Sequence, residues 1–174
     1  IKQKNVLTYA DGSGQADELS NEGATEKNQG IELEVMGRIL PNWMVNAGYA
    51  YIDANLTRFD SASNKDITYR KDNAPKHSLN IWTRYDIKEG PFRNFGAGAG
   101  LNYVGEKISW QERDLVLPAY TVVDAAVYYK LKSMQLSFNV NNVFNKEYWV
   151  GAFNYPRLFP GTPRNVMFTV RYTF

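Results

Sequence analysis

Hydrophobic and polar positions alternate strictly along much of the chain. In MQLSFNVN, residues 134–141, the apolar set Met134, Leu136, Phe138 and Val140 interleaves with the polar set Gln135, Ser137, Asn139 and Asn141. Period two is the period of a strand, which sends the two sets to opposite faces. No stretch carries a convincing helical period, and Gly, Asn and Asp stand at the breaks, so the pattern predicts an all-β chain. Eight strands are predicted: Ile1–Tyr9, Thr25–Leu40, Trp43–Phe59, Pro75–Ile87, Asn94–Trp110, Ala119–Lys132, Met134–Trp149 and Arg164–Phe174. Several exceed the usual five or six residues of a soluble strand.

The connections alternate in length. Leu40–Asn42, Lys88–Asn94 and Lys130–Met134 are tight, whereas the stretches ADGSGQADELSNEGA, DSASNKDITYRKDNA, QERDLVLP and VGAFNYPRLFPGTP are long and polar. An antiparallel up-and-down barrel produces this alternation when its tight turns lie at one end and its long loops at the other; in outer-membrane barrels these ends are periplasmic and extracellular respectively. The apolar parity then faces lipid. Aromatics of that parity stand beside the short turns, at Trp43, Tyr85, Phe95 and Tyr129, and again at Tyr172 and Phe174, as a membrane-interface girdle requires. The opposite parity collects Glu32, Glu34, Arg38, Asn80, Arg84, Asp124, Asn165, Thr169 and Arg171. A Lys or Arg at the lipid midplane costs about 2–4 kcal/mol, so charge is expected on one parity only. Asn142 is the exception on the apolar parity, and predicts that the strand has left the hydrocarbon there or that a bulge resets its register.

Composition narrows the classes further. The chain has 174 residues, 44% of them hydrophobic, and a formal net charge of +2, which fits neither a disordered segment nor a polycationic nucleic-acid binder. No nucleic-acid partner is expected. Cysteine is absent, which removes disulfide and thiolate chemistry. No apolar run approaches the roughly 18–20 residues of a membrane helix, and the first residues are no secretory signal. The chain begins mid-pattern, as a mature or truncated segment would.

Candidate chemistry is sparse. Gly96, Gly98 and Gly100 share one face, but a strand pattern continues on both sides of them, so a phosphate loop is disfavoured and close approach by something inside the barrel is expected. His77 is the sole histidine and is predicted to be a loop-edge residue; no zinc site can be completed around it. Glu32 and Glu34 read as ordinary lumen carboxylates, and no Ser, His and acid constellation exists. The acidic stretch of Asp11, Asp17, Glu18 and Glu22 reads as a solvated loop before it reads as a cation site. No catalytic residue, metal site or resident cofactor is expected. The last long loop differs, because Trp149, Phe153, Tyr155 and Phe159 lie within a dozen residues and such density signals recognition of a ligand or partner.

The motifs GIELEVMGRI, NWMVNAGYAYIDANLT, NAPKHSLNIWTRYDI, LPAYTVVDAAVYYKL, NVNNVFNKEYW and PRNVMFTVRYTF, in order over nearly the whole chain, resemble the C-terminal barrel of TonB-dependent siderophore receptors, particularly the ferrichrome and hydroxamate branch. The resemblance implies an outer-membrane transporter that is not an enzyme. Its barrel has about 22 strands around a plugged lumen, of which residues 1–174 would form the last eight, without the plug domain and the N-terminal strands. The implied partners are a ferric siderophore as transported ligand, outer-membrane lipid, the TonB energy-coupling complex acting through the missing plug, and the barrel-assembly machinery acting on the terminal Phe174. Family members of this branch contact ligand through aromatics of the last extracellular loop, which points to Phe153 and Tyr155, with Trp149 and Trp110 at neighbouring strand tips.

Two competing architectures follow from the same alternation. A complete eight-stranded outer-membrane barrel, serving as anchor or adhesin, would close on itself. A soluble lipocalin-like carrier would turn the apolar parity inward and leave the aromatic girdle without a purpose.

Overall fold

The structure, a computed structural model, describes residues 2–9, 19–60, 63–109, 115–154 and 157–174. All regular structure among them is β. In chain order the strands are β1 (Lys2–Tyr9), β2 (Leu19–Leu40), β3 (Trp43–Asp60), β4 (Lys65–Arg70), β5 (His77–Asp86), β6 (Phe95–Val104) and β7 (Lys107–Ser109). They continue with β8 (Leu115–Leu117), β9 (Tyr120–Leu131), β10 (Met134–Asn141), β11 (Trp149–Asn154), β12 (Arg157–Pro160) and β13 (Asn165–Tyr172). One antiparallel sheet runs β1-β2-β3-β5-β6-β9-β10-β13, and β4 adds to β3 beyond the reach of β5. The remaining strands make two small hairpins, β7–β8 and β11–β12, both inserted at the long-connection end of the wall.

The eight predicted strands are the eight wall strands, with three limits shifted by more than two residues. β2 begins at Leu19 instead of Thr25, because the residues before Thr25 find a ladder on β1, with Leu19 opposite Tyr9 and Ala24 opposite Val6; from Thr25 on, β3 pairs the other side. Backbone pairing with β1 extends it. β6 stops at Val104 instead of running to Trp110: the Gly105 N–H makes a last rung with the His77 carbonyl at 2.8 Å, and Lys107–Ser109 pair with β8 instead of the wall. β10 stops at Asn141 instead of Trp149, and Asn142 takes a left-handed φ of 52°. The exception on the apolar parity is therefore a turn residue. Inside the long connections the polar stretches fold into β4 and the two small hairpins rather than open loops.

Register sorts the side chains as the alternation requires. Phe138 stands opposite Val127 on β9 and Phe168 on β13, Leu136 opposite Tyr129 and Val170, and Trp43 opposite Tyr85. Followed across the ladder, this face carries Ile31, Leu33, Val35, Val45, Ala47, Leu79, Ile81, Ala97, Ala99, Leu101 and Val123, with no charged residue among them. Val35 and Phe168 are 65% and 63% exposed, and the wall strands pack extensively only on their ladder neighbours. An apolar face this large and this bare belongs against lipid. Its tight-turn edge holds the girdle: the Trp43 indole donates to Thr83 Oγ1 at 2.7 Å, Phe95 packs on Tyr129 at 4.5 Å, and Tyr172 meets Phe174 edge-on at 5.1 Å.

The other face carries Glu32, Glu34, Arg38, Asn46, Asn80, Arg84, Asn102, Asp124, Gln135, Asn139 and Arg171. Here the three glycines find their purpose. A Cβ on Gly98 or Gly100 would stand 2.8 Å or 2.3 Å from the Trp82 ring, and one on Gly96 would stand 2.4 Å from Asp86 Oδ1. What approaches closely is thus the wall's own Trp82, laid across the bare strip. Beside it Arg84 binds Asp86 at 2.9 Å and lies over the Tyr128 ring at 3.9 Å.

β1 and β13 end the strand order and do not pair with each other among the described residues, so the sheet is open. Two unpaired ladders of this length need further strands. That argues against a small closed barrel.

Candidate functional site

The buried residues gather at the long-connection end. Leu117, Ser109, Ala152 and Lys107 are all at or below 3% exposure, although they sit in the inserted hairpins. Hairpins of three and four residues a side cannot build a hydrophobic core, so polar groups tie them together. Asn73, in the turn after β4, donates from its backbone N–H to the Ile108 carbonyl at 2.8 Å. Its side-chain amide pairs with both peptide groups of Ala152, Nδ2 donating to the carbonyl at 2.7 Å and Oδ1 accepting from the N–H at 2.9 Å. Ser109 Oγ donates to the same carbonyl at 2.7 Å.

Lys107 reaches the next stretch of β11, donating to the carbonyls of Val150 at 2.5 Å and Trp149 at 3.3 Å. Burial lowers the pKa of this ammonium from its ordinary value, since the charged form loses solvent. Carbonyl acceptors and the Tyr120 ring, 5.5 Å away, partly replace that solvent. Nearby, Arg70 donates to the Glu106 carbonyl at 2.7 Å, and Lys71 forms an ion pair with Glu26 on the part of β2 beyond the apolar belt. The Lys71 hydrogen bond, then that of Asn28, lowers the Glu26 pKa below its ordinary value.

A second knot closes the turn from β10 to β11. Buried Asn142 donates its backbone N–H to Asp124 Oδ1 at 2.8 Å. Its side chain bonds the Lys146 N–H and carbonyl and the Thr162 carbonyl at 2.7–3.1 Å. Asn145 Oδ1 accepts from the Arg164 N–H at 2.9 Å, fixing where β13 begins. Left-handed φ values of 52° and 51° suit asparagine at both positions.

Between these knots a cleft of about 490 Å³ opens on the polar face, lined by Asn102, Tyr120, Asp124, Asn141, Tyr148 and Asn165 among others. Tyr120 and Tyr148 pack at 4.4 Å, and Gly161 lies so close to Tyr148 that a Cβ there would overlap the ring. Amides, one carboxylate and paired phenols in a concave site suit an extended polar ligand with several oxygen donors and acceptors.

Of the sequence candidates, Trp149 and Phe153 both lie on β11, 39% and 44% exposed, with the Arg157 guanidinium 5.9 Å from the Phe153 ring. Tyr155 and Trp110 lie outside the described residues, as do Asp11, Asp17 and Glu18; Glu22 falls within β2. His77, read as a loop-edge residue at the entry to a strand, is the first residue of β5; it falls on the apolar parity, and its ring shares a hydrogen bond of 2.9 Å with Tyr49 Oη, with Tyr51 beside it. Tyr120 and Tyr148 escaped the sequence reading, since 28 positions and a turn of left-handed asparagines separate them; only the Asn142 motif could have flagged that turn. Among the described residues no three His, Cys, Asp or Glu side chains converge on a metal position.

An apolar belt outside, a polar wall inside and unpaired edges define one piece of a large outer-membrane barrel. Residues 1–143 match the family model of the TonB-dependent receptor-like β-barrel, and the chain belongs to that family. It is 34% identical over 168 residues to the metal-pseudopaline receptor CntO of Pseudomonas aeruginosa strain UCBPP-PA14, covering 95% of this chain and 23% of that protein. Against the ferrichrome outer membrane transporter/phage receptor of Escherichia coli K12 it is 29% identical, covering 99% of this chain and 23% of that protein. The crystal structure of the siderophore receptor PiuA from Acinetobacter baumannii superposes with a TM-score of 0.77 at 25% identity, over 98% of this chain and 25% of that one. The chain thus spans about a quarter of the length of the relatives it matches.

Proposed function

We propose that these residues are the C-terminal part of a TonB-dependent receptor that takes ferric siderophores across the outer membrane. The long-connection end is extracellular and the polar face lines the lumen. The cleft between Tyr120, Tyr148, Asp124 and Asn165 carries this reading, because it sits where a chelate descending from the loops first meets the lumen wall. Phe153 and Trp149 on β11 supply aromatic contacts, and Tyr155 is assigned the same role from its position in the sequence. The role is capture and passage, not catalysis; iron arrives inside its chelate and needs no resident cofactor. Gating falls to a plug domain coupled to TonB.

The test uses the full-length receptor in outer membranes, titrated with ferrichrome, ferrioxamine B, ferripyoverdine and metal-loaded pseudopaline. Pseudopaline is included because the relative at 34% identity is a receptor for its metal complex. One of these chelates should quench receptor fluorescence, and Phe153→Ala or Tyr148→Ala should weaken that binding about tenfold at an unchanged receptor level. Full affinity in both variants would remove this end of the wall from ligand capture.

A further inference from the structure

Ala152 stands opposite Leu158 in the β11–β12 hairpin, and its peptide N–H and carbonyl bond side chains from elsewhere. Its carbonyl accepts from Asn73 Nδ2 and from Ser109 Oγ, and its N–H donates to Asn73 Oδ1. The primary amide of Asn73 thus presents one donor and one acceptor to one residue, the pairing a neighbouring strand would offer. Close approach is built in on both sides. Asn73 holds a left-handed φ of 58°, and a Cβ on Gly151 would stand 3.2 Å from Asn73 Oδ1. Phe153 follows Ala152 directly.

We propose that Asn73 is the positioning residue for ligand capture by β11: its side chain acts as a one-residue strand that splices the last extracellular hairpin onto β7 and fixes Phe153 over the lumen. The chelate-binding part of this statement rests on the function proposed above; the positioning part does not. Lys107 and Ser109 grip the same strand through its carbonyls, whereas among the described side chains Asn73 alone bonds both the N–H and the carbonyl of one β11 residue. A loss of its amide frees the segment next to Phe153 while leaving the backbone N–H of residue 73 on Ile108.

The experiment uses the full-length receptor with a nitroxide at Phe153→Cys or, separately, at Val116→Cys on β8; this segment has no native cysteine. Asn73→Gly keeps the left-handed turn and removes the amide, and Asn73→Asp keeps an acceptor for the Ala152 N–H while setting a carboxylate against its carbonyl. The label at 153 should become more mobile in the order Asn, Asp, Gly, while the label at 116 stays unchanged. An unchanged label at 153 in Asn73→Gly overturns the proposal. Equal loosening at 116 also overturns it, by making Asn73 a general stabiliser of the loop cluster. In the unlabelled receptor Asn73→Gly should weaken the chelate found by titration about tenfold, and add nothing in a Phe153→Ala background. Full affinity despite a loosened label overturns the role in capture. If Phe153→Ala and Tyr148→Ala themselves leave affinity intact, the proposed binding function fails, and the labels still decide the positioning.

Discussion

The wall and the loop cluster are held by opposite means. In the wall, apolar side chains are plentiful and exposed, with Leu33 at 61% and Val170 at 53%, so the ladder of backbone hydrogen bonds holds the strands to one another and lipid must cover the rest. In the cluster, few apolar side chains of the hairpins are buried, Leu117 and Ala152 among them, and the buried residues include a lysine, a serine and an asparagine bonded to named carbonyls. The wall tolerates any apolar residue of fitting size on its outer face. The cluster depends on particular atoms in particular places, as buried polar networks do.

The largest expected effect breaks the wall. Phe138→Arg places a charge between Val127 and Phe168 on the lipid side and should cost about 2–4 kcal/mol, read as loss of heat-modifiable, correctly assembled receptor in outer membranes. Asn139→Arg, one position on, points into the lumen and should assemble normally. Equal assembly of the two variants would mean that the faces are assigned wrongly.

A middle-sized effect breaks the cluster without touching the wall. Asn142→Ala strands the Lys146 and Thr162 peptide groups and forces alanine into a left-handed φ of 52°. Buried polar groups left unpaired cost about 1–3 kcal/mol, so trypsin should cut after Lys146 at least tenfold faster while the barrel still resists heat. Unaltered cleavage would show that the knot is dispensable.

The smallest effect is electrostatic. The Glu26 carboxyl sits below its ordinary value of 4.5 because Lys71 and Asn28 bond its charged form. A depressed folded pKa gives a stabilisation that is complete above the ordinary value and fades as pH falls through the folded one. Amide exchange at residues 24–27, corrected for intrinsic rates, should therefore quicken only below about pH 4.5, and Glu26→Gln should flatten that dependence. A pH response identical in the variant would assign it to another group.

The wall was legible because one rule governs it. Alternation such as that of Met134–Asn141 survives only where the two faces of a strand meet unlike surroundings, here lipid and a polar lumen, and this is also why Arg38, Arg84 and Arg171 all fell on one parity. Above the membrane both faces of a strand are wet, alternation loses its cause, and the polar start of β2 and the hairpin strand Lys65–Arg70 look like loop. Of the four proposed contacts, aromatic density singled out Trp149, Phe153 and Tyr155, and the described residues include Trp149 and Phe153, both on β11. The Tyr120–Tyr148 pair and the buried Lys107 could not be singled out, since each owes its position to partners far away in sequence.

The strip of Gly96, Gly98 and Gly100 also has a mechanical meaning. With its indole sunk into that strip, Trp82 presents a flat plate instead of a knob, and a single added methyl would push the ring outward into the bore. The inner surface there is planed smooth. Polar contacts on this part of the wall must come from the side chains beside the plate, Arg84 and Asp86 among them.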